Sequence, residues 1–474
     1  MSNDEFIKVE LPAIEQLKKL NWQYIEGSKL SPDESDERKS FKHVVLKNKL
    51  SKSIKKINPW ISDENIKIVI QEFTQISNMN LMEANQTLYE KLTKYISVEQ
   101  NLGEERKSHT VKIIDFENLE NNEFLITNQF KVAGINQNII PDIILFVNGL
   151  PLAVIECKSP FITNPMEAGI NQLLRYCNKR KPEENEGAEK LFYYNQILVS
   201  TYNNQARLGT ISSRYEHYLE WKDVYPKNIE NFKNNTSQEI LIEGIFNHKN
   251  FLDIIRNFTI FEVVEGKTIK KIPRYQQYRA VHKTVEKISK GKNKKEKGGV
   301  IWHTQGSGKS LTMVFLAQVF RRNEELKKYK LLYITDRTQL DSQLTTTFQN
   351  TQDETVIQAD SAKDLRELIS KDSSDLITST IQKFQEIRGE NLKVLNESEN
   401  IVVLIDEAHR TQYGTFGMVL NTVLPNAAKI AFTGTPLLKS ELTTGEFGDY
   451  IDKYTIEQSV EDGATLQILY EGRE

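Results

Sequence analysis

The stretch "PDIILFVNGLPLAVIECKSP" (residues 141–160) decides the fold of the first half of the chain. Two apolar runs flank Asn148–Gly149, and both residues of such a pair take positive φ readily, so the sequence predicts two strands joined by a two-residue hairpin turn. Side chains two residues apart on a strand share a face, which places Glu156 and Lys158 together. Charges on a buried strand are unfavourable unless they pair, bind a metal or reach solvent, so this pair requires a physical explanation.

Asp142 begins the first strand of the hairpin, so it is expected to approach Glu156 across the sheet. Two carboxylates and a lysine at one place can hold a divalent metal, orient a water molecule and stabilise charge on a phosphate group. We therefore predict that Asp142 and Glu156 bind the metal and that Lys158 acts beside them in catalysis. The alternative interpretation is a surface salt bridge at the end of a strand.

The regions around the hairpin predict a compact α/β unit. Residues up to about 100 are mostly helical in pattern, and the first helix, over residues 5–20, carries Glu10 and Glu15. Its apolar face is predicted from five residues at helical spacing: Ile7, Leu11, Ile14, Leu17 and Leu20. Strands are expected at 109–116, 123–132 and 196–202, and a helix at about 165–178.

Composition bounds the class of protein. The chain has 474 residues, enough for two or three domains, and its 38% hydrophobic and 27% charged residues are typical of globular proteins. Its apolar runs are too short for a membrane span and its N-terminus does not resemble a secretory signal, so no membrane partner is expected. Cys157 and Cys177 lack a metal-binding spacing, which favours a reducing cytoplasm. The net charge of −3 argues against passive coating of nucleic acid.

The second half of the chain alternates apolar strands with helices, which predicts a parallel sheet covered on both faces. Within it, "HTQGSGKSLTM" (303–313) follows a strand and opens a helix, the context that a phosphate-binding loop requires. Lys309 would neutralise the terminal phosphates and the Ser310 hydroxyl would bind magnesium. The predicted loop residues are Thr304, Gly306, Ser307, Gly308, Lys309 and Ser310. The strict motif has glycine at its first position, where this chain has His303.

A second carboxylate pair follows a buried strand in "IVVLIDEAH" (401–409). Asp406 is predicted to hold magnesium, through a water molecule, and Glu407 to polarise the attacking water. His409 is either structural or a link between the nucleotide and DNA-contacting elements. The lysine-rich run at 290–299 is predicted to be a solvated loop.

Two sets of motifs resemble known families. "PD" (141–142) with "ECK" (156–158) resembles the PD-(D/E)xK nuclease core, and "QLLRY" (172–176) resembles the Q-x-x-x-Y element of one subgroup of these nucleases. The resemblance implies that Gln172 and Tyr176, one helical turn apart, join the site, although each could instead be a helix-packing group. It also implies an acidic residue from the first helix, either Glu10 or Glu15.

"TGTP" (433–436) resembles the coupling motif of superfamily 2 helicases and translocases. "RYQQYRA" (274–280) resembles their adenine-reading element, with Gln277 the favoured glutamine. "ITDRTQL" (334–340) and "TSTIQKF" (378–384) resemble motifs that touch the DNA backbone. For the residues concerned the alternative is an ordinary cap or turn: Asp336, Arg337 and Thr380.

The predicted fold class is therefore α/β throughout. A PD-(D/E)xK endonuclease domain is expected over residues 1–260 and a RecA-like P-loop domain over 261–460, and residues 461–474 are expected to begin a second motor domain. This pairing resembles the restriction subunit of type I restriction–modification enzymes over essentially the whole chain.

That resemblance implies a type I site-specific deoxyribonuclease with ATP and Mg²⁺ as cofactors, duplex DNA as substrate, and methylation and specificity subunits as partners. The chain has little sequence after "TGTP" for a second RecA-like domain, so weak ATP binding, poor hydrolysis and no autonomous translocation are expected. Two alternatives stay open: a stand-alone nuclease–helicase in defence or repair, and a non-catalytic DNA-binding or assembly fragment.

Overall fold

The computed structural model describes residues 3–76, 79–103, 106–179, 186–335, 356–387, 392–406, 413–434 and 447–465. The chain divides into two compact units, Met1–Ile272 and Pro273–Glu474. Each unit has its own sheet, so the predicted α/β class is confirmed in both. In the described part of the chain, no helix is both long and apolar enough to cross a bilayer.

The first unit is built around a seven-stranded mixed sheet with the strand order β1-β4-β7-β8-β9-β10-β11. Strands β4, β7, β8 and β9 are buried along their whole length, because they lie in the middle of this sheet. The described strands of this unit are β1 Gln23–Tyr24, β2 Ile96–Asn101, β3 Arg106–Val111, β4 Phe124–Asn128, β5 Val132–Ala133, β6 Asn138–Ile139, β7 Ile143–Val147, β8 Leu150–Cys157, β9 Ile197–Thr201, β10 Ala206–Gly209, β11 Leu219–Glu220, β12 Ile260–Val264 and β13 Lys267–Lys271.

The predicted hairpin of β7 and β8 is confirmed. Asn148 and Gly149 take φ of 52° and 81°, as a two-residue turn requires. The antiparallel register pairs Ile143 with Ile155, so the open ends of the two strands meet. Helices pack around the sheet at Leu11–Lys19, Lys47–Ile57, Asp63–Thr74, Leu81–Lys94, Pro165–Tyr176, Glu189–Phe192, Ser237–Phe246 and His248–Asn257.

The first helix differs from the prediction in its phase. Residues Phe6–Glu10 form a wide π-type turn, in which the N–H of Leu11 bonds to the carbonyl of Phe6. Val9 and Glu10 are buried by this turn, whereas Ile7 is 52% and Leu11 37% exposed. The prediction that these last two residues face the core is wrong, because the wide turn rotates the helix relative to a regular 3.6-residue spacing.

The second unit contains a seven-stranded parallel sheet in the order β16-β17-β15-β18-β19-β14-β20. Its described strands are β14 Gly299–His303, β15 Lys330–Thr335, β16 Val356–Gln358, β17 Leu376–Thr380, β18 Ile401–Ile405, β19 Ala428–Thr433 and β20 Tyr450–Tyr454. Described helices are Tyr275–Lys290, Lys294–Lys297, Lys309–Arg322, Ala362–Ser370, Ile381–Glu386, Tyr413–Val423 and Ile456–Glu461. The lysine-rich run thus includes one short helical turn, and the motif at 378–384 changes from strand to helix after Thr380.

Candidate active sites

The residues at the open end of the β7–β8 hairpin converge as the sequence predicts. Lys158 Nζ donates to Glu156 Oε1 at 2.7 Å and lies 3.9 Å from Asp142 Oδ2. The backbone N–H of Cys157 donates to Asp142 Oδ2 at 2.7 Å, which fixes this carboxylate across the hairpin. One lysine therefore lies between two carboxylates from neighbouring strands.

These charges are inside the protein. Glu156 is 0%, Asp142 4% and Lys158 8% exposed, which excludes the surface salt bridge. Burial, and then the charge of Asp142, raises the pKa of Glu156 well above its ordinary value. Burial also raises the pKa of Asp142, although the positive charge of Lys158 acts to lower it. Burial alone would lower the pKa of Lys158, but the two carboxylates outweigh it and raise that pKa.

This donor set fits a divalent cation. Glu156 Oε2 is buried and has no hydrogen-bond partner among the described residues. A cation would offset the repulsion between two desolvated carboxylates, and Mg²⁺ is commonly held by one or two carboxylates with water completing its shell. Within the described ranges, no three acidic, histidine or cysteine side chains form a metal site by themselves, so Asp142 and Glu156 would supply only part of the coordination.

Of the two candidate glutamates on the first helix, Glu10 faces the site. Its carboxylate accepts hydrogen bonds from Asn128 Nδ2 at 2.8 Å and Gln129 Nε2 at 3.3 Å, and the same Gln129 nitrogen is 3.3 Å from Asp142 Oδ1. Burial, and to a lesser degree Asp142, raises the pKa of Glu10 to about 7. Glu15 is exposed and pairs with Lys18.

Two polar residues beside the triad were not anticipated. Glu5 Oε2 accepts the backbone N–H of Ser159 at 3.1 Å, directly after Lys158. Gln129 links Glu10 to Asp142. Neither Glu5 nor Gln129 belongs to a motif with fixed spacing. The polar pair "NQ" at the end of the apolar β4 run is the one sequence feature that points to Gln129, and no such feature points to Glu5.

Gln172 and Tyr176 share a helix face, with Gln172 Nε2 donating to Tyr176 Oη at 2.6 Å. The helix lies close to the sheet because Gly169 has no side chain: a Cβ there would be 2.2 Å from Ser200 Oγ and 3.3 Å from Lys158 Cγ. Burial raises the pKa of Tyr176, and Glu156 adds to the shift. The pair therefore lies within electrostatic reach of the carboxylates.

The predicted phosphate-binding loop of the second unit has positive φ at two of its glycines. Gly306 and Gly308 have φ of 83° and 84°, and Gly308 caps the helix Lys309–Arg322. A Cβ on Gly308 would come within 2.6 Å of Gln277 Nε2. Thr304 and Ser307 are buried, and Ser307 Oγ has no partner in the described structure, whereas Ser310 is exposed at the start of the helix. Free N–H groups at a helix N-terminus suit a phosphate.

Gln277 lies against this loop. Its Nε2 donates to the Gly308 carbonyl at 3.0 Å and its Oε1 accepts from the Arg274 N–H at 2.8 Å. One polar end of the amide therefore holds the loop, and the other caps the start of the helix Tyr275–Lys290. The neighbouring Gln276 is also buried, and neither of its side-chain polar atoms has a partner among the described residues.

His303, which replaces the usual glycine, is part of a buried network. Its Nε2 lies 2.9 Å from Asp452 Oδ2. Asp452, on β20, also accepts from Arg279 Nε at 2.7 Å and Lys283 Nζ at 2.8 Å. Burial acts to raise the pKa of Asp452, but His303 and Arg279 together lower it, so the aspartate is ionised. The departure from the motif thus ties the start of the loop to the neighbouring strand and helix.

The other predicted motor residues follow strands of the same parallel sheet. Asp406 directly follows β18, Thr433 ends β19 and Gly434 follows it, and the loop follows β14. These strands are neighbours, so their carboxyl ends line one edge, within about 10 Å across the three strands. A Cβ on Gly434 would be 3.1 Å from Lys309 Nζ. Thr380 caps the helix Ile381–Glu386, as the alternative interpretation expected. Several predicted residues lie outside the described residues: Asp336, Arg337, Glu407, His409, Thr435 and Pro436.

Comparison with known proteins gives a family match for each half. Residues 4–217 match "Type I restriction enzyme R protein N terminus" and residues 276–474 match "SWI2/SNF2 ATPase". A Methanocaldococcus jannaschii protein named as the type I restriction enzyme MjaIXP endonuclease subunit is 34% identical over 99% of this chain. The type I restriction enzyme HindI endonuclease subunit of Haemophilus influenzae is 36% identical over 98% of this chain. The chain spans 46% of the length of each of these two relatives.

Proposed function

Because the chain belongs to the family of type I restriction enzyme endonuclease subunits, we propose that its first unit cleaves DNA with a divalent cation and that its second unit is the ATP-binding part of a motor that moves along duplex DNA. The observation that carries the nuclease assignment is the convergence of Asp142, Glu156 and Lys158 in a buried site. We further propose Mg²⁺ and ATP as cofactors, methylation and specificity subunits as partners, and the cytoplasm as its location.

In the nuclease unit, Asp142 and Glu156 would hold the cation, which when bound supplies Lewis-acid stabilisation of a phosphodiester oxygen. The Lys158 ammonium can move from Glu156 towards the charge that develops on the phosphate. Burial raises the pKa of Glu10 to about 7, so its carboxylate can accept a proton from water near neutral pH. The Gln172–Tyr176 pair would position the substrate backbone.

In the motor unit, the backbone N–H groups of residues 306–309 would bind the triphosphate, and Lys309 would neutralise its terminal charge. Ser310 and Asp406 would hold the magnesium that accompanies the nucleotide. We assign Glu407 to the orientation of the attacking water. Gln277 would keep the loop in the binding conformation.

Lys158→Ala tests the proposal. It is expected to lower Mg²⁺-dependent nicking of supercoiled plasmid by roughly a hundredfold or more, because charge stabilisation at the phosphate is lost. Binding of a fluorescent ATP analogue is expected to stay at the wild-type level. Lys309→Ala is the reciprocal variant, which should lose nucleotide binding and keep the folded nuclease unit. Loss of both activities in Lys158→Ala, with an unchanged melting profile, would count against a separate nuclease site.

A further inference from the structure

A concave pocket of the first unit has three lysines among its eleven lining residues. Its wall includes Lys42, His43 and Lys47 from one segment and Lys190 and Tyr193 from another. None of its lining residues is an aspartate or a glutamate. A positively charged concavity of this kind concentrates anions from solution.

The lysines of this pocket are unpaired among the described residues. Lys42, Lys47 and Lys190 are exposed and make no ion pair with the carboxylates that the structure describes. Lysines elsewhere in the same unit do pair, such as Lys91 with Glu72 at 3.2 Å. Burial, followed by Lys47 and Lys190, lowers the pKa of His43, so the histidine is neutral.

The sequence of this region is unusual for the chain. Residues 38–57 contain eight lysines and arginines and no acidic residue, whereas the whole chain has a net charge of −3. One of the eight, Arg38, is fully buried over the ring of Phe130, with its Nε bonded to the Leu30 carbonyl. Of the other seven, Lys42 and Lys47 line the pocket.

Hydrogen-bond donors and an aromatic ring add to the charge. His43 Nδ1 accepts the N–H of Lys39 at 3.3 Å, which leaves the proton of the neutral ring on Nε2. Tyr193 is half-buried at the rim, and burial, with Glu189, raises its pKa, so its hydroxyl stays protonated. The adjacent Tyr194 donates to the Phe73 carbonyl at 2.5 Å and holds the wall in place.

None of the residues that line the pocket belongs to the proposed nuclease site. The N–H of Leu46 donates to the Gly149 carbonyl at 2.9 Å, so the basic segment contacts the turn of the hairpin. Glu156 and Lys158 lie at the other end of the same strand, which at about 3.3 Å per residue is roughly 20–25 Å away. The pocket and the nuclease site are thus separate features of one sheet.

We propose that this pocket binds backbone phosphates of duplex DNA and serves as a second DNA contact of the first unit. The inference rests on the proposed function, because a nuclease that cuts duplex DNA must also hold the backbone at a distance from the cut. Three unpaired lysines with neutral donors between them suit a row of phosphates. A stable protein partner would instead need a large interface with an apolar centre, and this lining is mostly cationic and polar.

The test compares two triple variants of the full chain. Lys42→Ala/Lys47→Ala/Lys190→Ala removes the pocket's charge, and Lys29→Ala/Lys67→Ala/Lys249→Ala removes three other exposed lysines that make no described ion pair. Anisotropy of a labelled duplex is measured over a salt series, without divalent metal or nucleotide. The pocket variant is expected to bind roughly tenfold or more weakly, with a salt slope reduced by about 2–3. The control variant should change the slope by less than about 1.

Each outcome bears on the proposal. Equal losses of DNA affinity in the two variants would overturn the proposed contact. The proposed nuclease function would not be affected, because nicking by Lys158→Ala tests it separately. Wild-type protein that binds no duplex DNA would overturn both. Loss of inorganic phosphate or ATP binding by the pocket variant, with DNA affinity unchanged, would identify a free-anion site and overturn the DNA contact. Matching melting profiles establish that both variants are folded.

Discussion

At the scale of single residues, the catalytic assignment depends on charges that the protein buries. Asp142, Glu156 and Lys158 could be predicted from the sequence, because strand periodicity and one hairpin turn suffice to bring them together. The choice between Glu10 and Glu15 could not, because a regular helix gives no reason to expect the wide turn that buries Glu10. A one-residue change of helix phase is decided by packing rather than by local sequence.

Glu10→Gln and Glu15→Gln form a matched pair on this helix. Glu10→Gln is expected to lower Mg²⁺-dependent nicking by roughly tenfold or more, because it removes a buried carboxylate linked to Asp142 through Gln129. Glu15→Gln changes only an exposed pair with Lys18 and should keep wild-type activity. Plasmid nicking at saturating magnesium measures both. Equal activity of the two variants would remove Glu10 from the site.

The pKa of Glu10 also predicts a pH dependence. Burial raises the pKa of Glu10 to about 7 in the protein without a bound cation, and a cation at Asp142 and Glu156 would lower it. Nicking should therefore fall as pH drops through a value at or below about 7, and Glu10→Gln should lack this step. The stability of the fold depends on pH in the opposite direction to the nicking rate. Because the pKa of Glu10 is higher in the folded than in the unfolded state, this group contributes stability that is fully present below about 4.5 and is lost as pH rises through about 7. A pH series of nicking rates and melting temperatures for wild type and variant measures both effects. If Glu10→Gln keeps the same fall in nicking rate at low pH, that fall belongs to another titratable group.

At the scale of elements, the β7–β8 turn positions the residues of the proposed nuclease site. Gly149 combines a φ of 81° with close packing, since a Cβ there would lie 2.5 Å from the Leu46 carbonyl. Gly266, in the turn between β12 and β13, has a φ of 74° but open space around it. The Asn148–Gly149 dipeptide predicts the turn between β7 and β8. The contact of Gly149 with Leu46, about a hundred residues earlier in the chain, cannot be predicted from the local sequence.

Gly149→Ala and Gly266→Ala separate backbone strain from steric clash. Gly266→Ala should cost about 1 kcal/mol from the left-handed backbone alone. Gly149→Ala should cost roughly 2–4 kcal/mol, because the clash with the backbone adds to the same strain. Chemical denaturation followed by a probe of the first unit measures the two values. Equal losses of unfolding free energy in the two variants would mean that the backbone at Leu46 moves to accommodate the added methyl group without an energetic cost.

The network around Asp452 is the corresponding feature of the second unit. Sequence inspection missed it, although an aspartate in the short strand Tyr450–Tyr454 is the same signal that singled out Glu156. The partner cations come from a helix far away in the chain, so the pairing could not be derived from spacing.

Asp452→Asn is expected to destabilise the second unit by about 3 kcal/mol, because the buried carboxylate that pairs with the partly buried Arg279 and Lys283 is lost. It should also weaken nucleotide binding, since His303 loses the partner that holds the start of the loop. Glu286→Gln, which disturbs the exposed pair with Lys290, should cost less than about 1 kcal/mol. Thermal melts and titration with a fluorescent ATP analogue measure both quantities. An Asp452→Asn protein with wild-type nucleotide affinity would show that the loop is held by other contacts.

At the scale of the whole molecule, two kinds of sheet follow from two kinds of strand pattern. The run of fully buried strands separated by helices in the second half predicted a parallel sheet, and all seven described strands are parallel. The mixed sheet of the first unit was harder to anticipate, because its edge strands β1 and β11 have two residues each and give no pattern. Strand order was beyond the sequence in both units, since it depends on which buried faces pack together.

The account depends most on cation binding at the hairpin, and isothermal titration with Mn²⁺ tests that claim directly. Wild type and Lys309→Ala should bind the cation at this site equally, because the site lies in the first unit. Asp142→Asn and Glu156→Gln should each bind at least roughly tenfold more weakly, since each removes one of the two buried carboxylate ligands. Undiminished Mn²⁺ affinity in both variants would contradict the account and remove the physical basis for a nuclease.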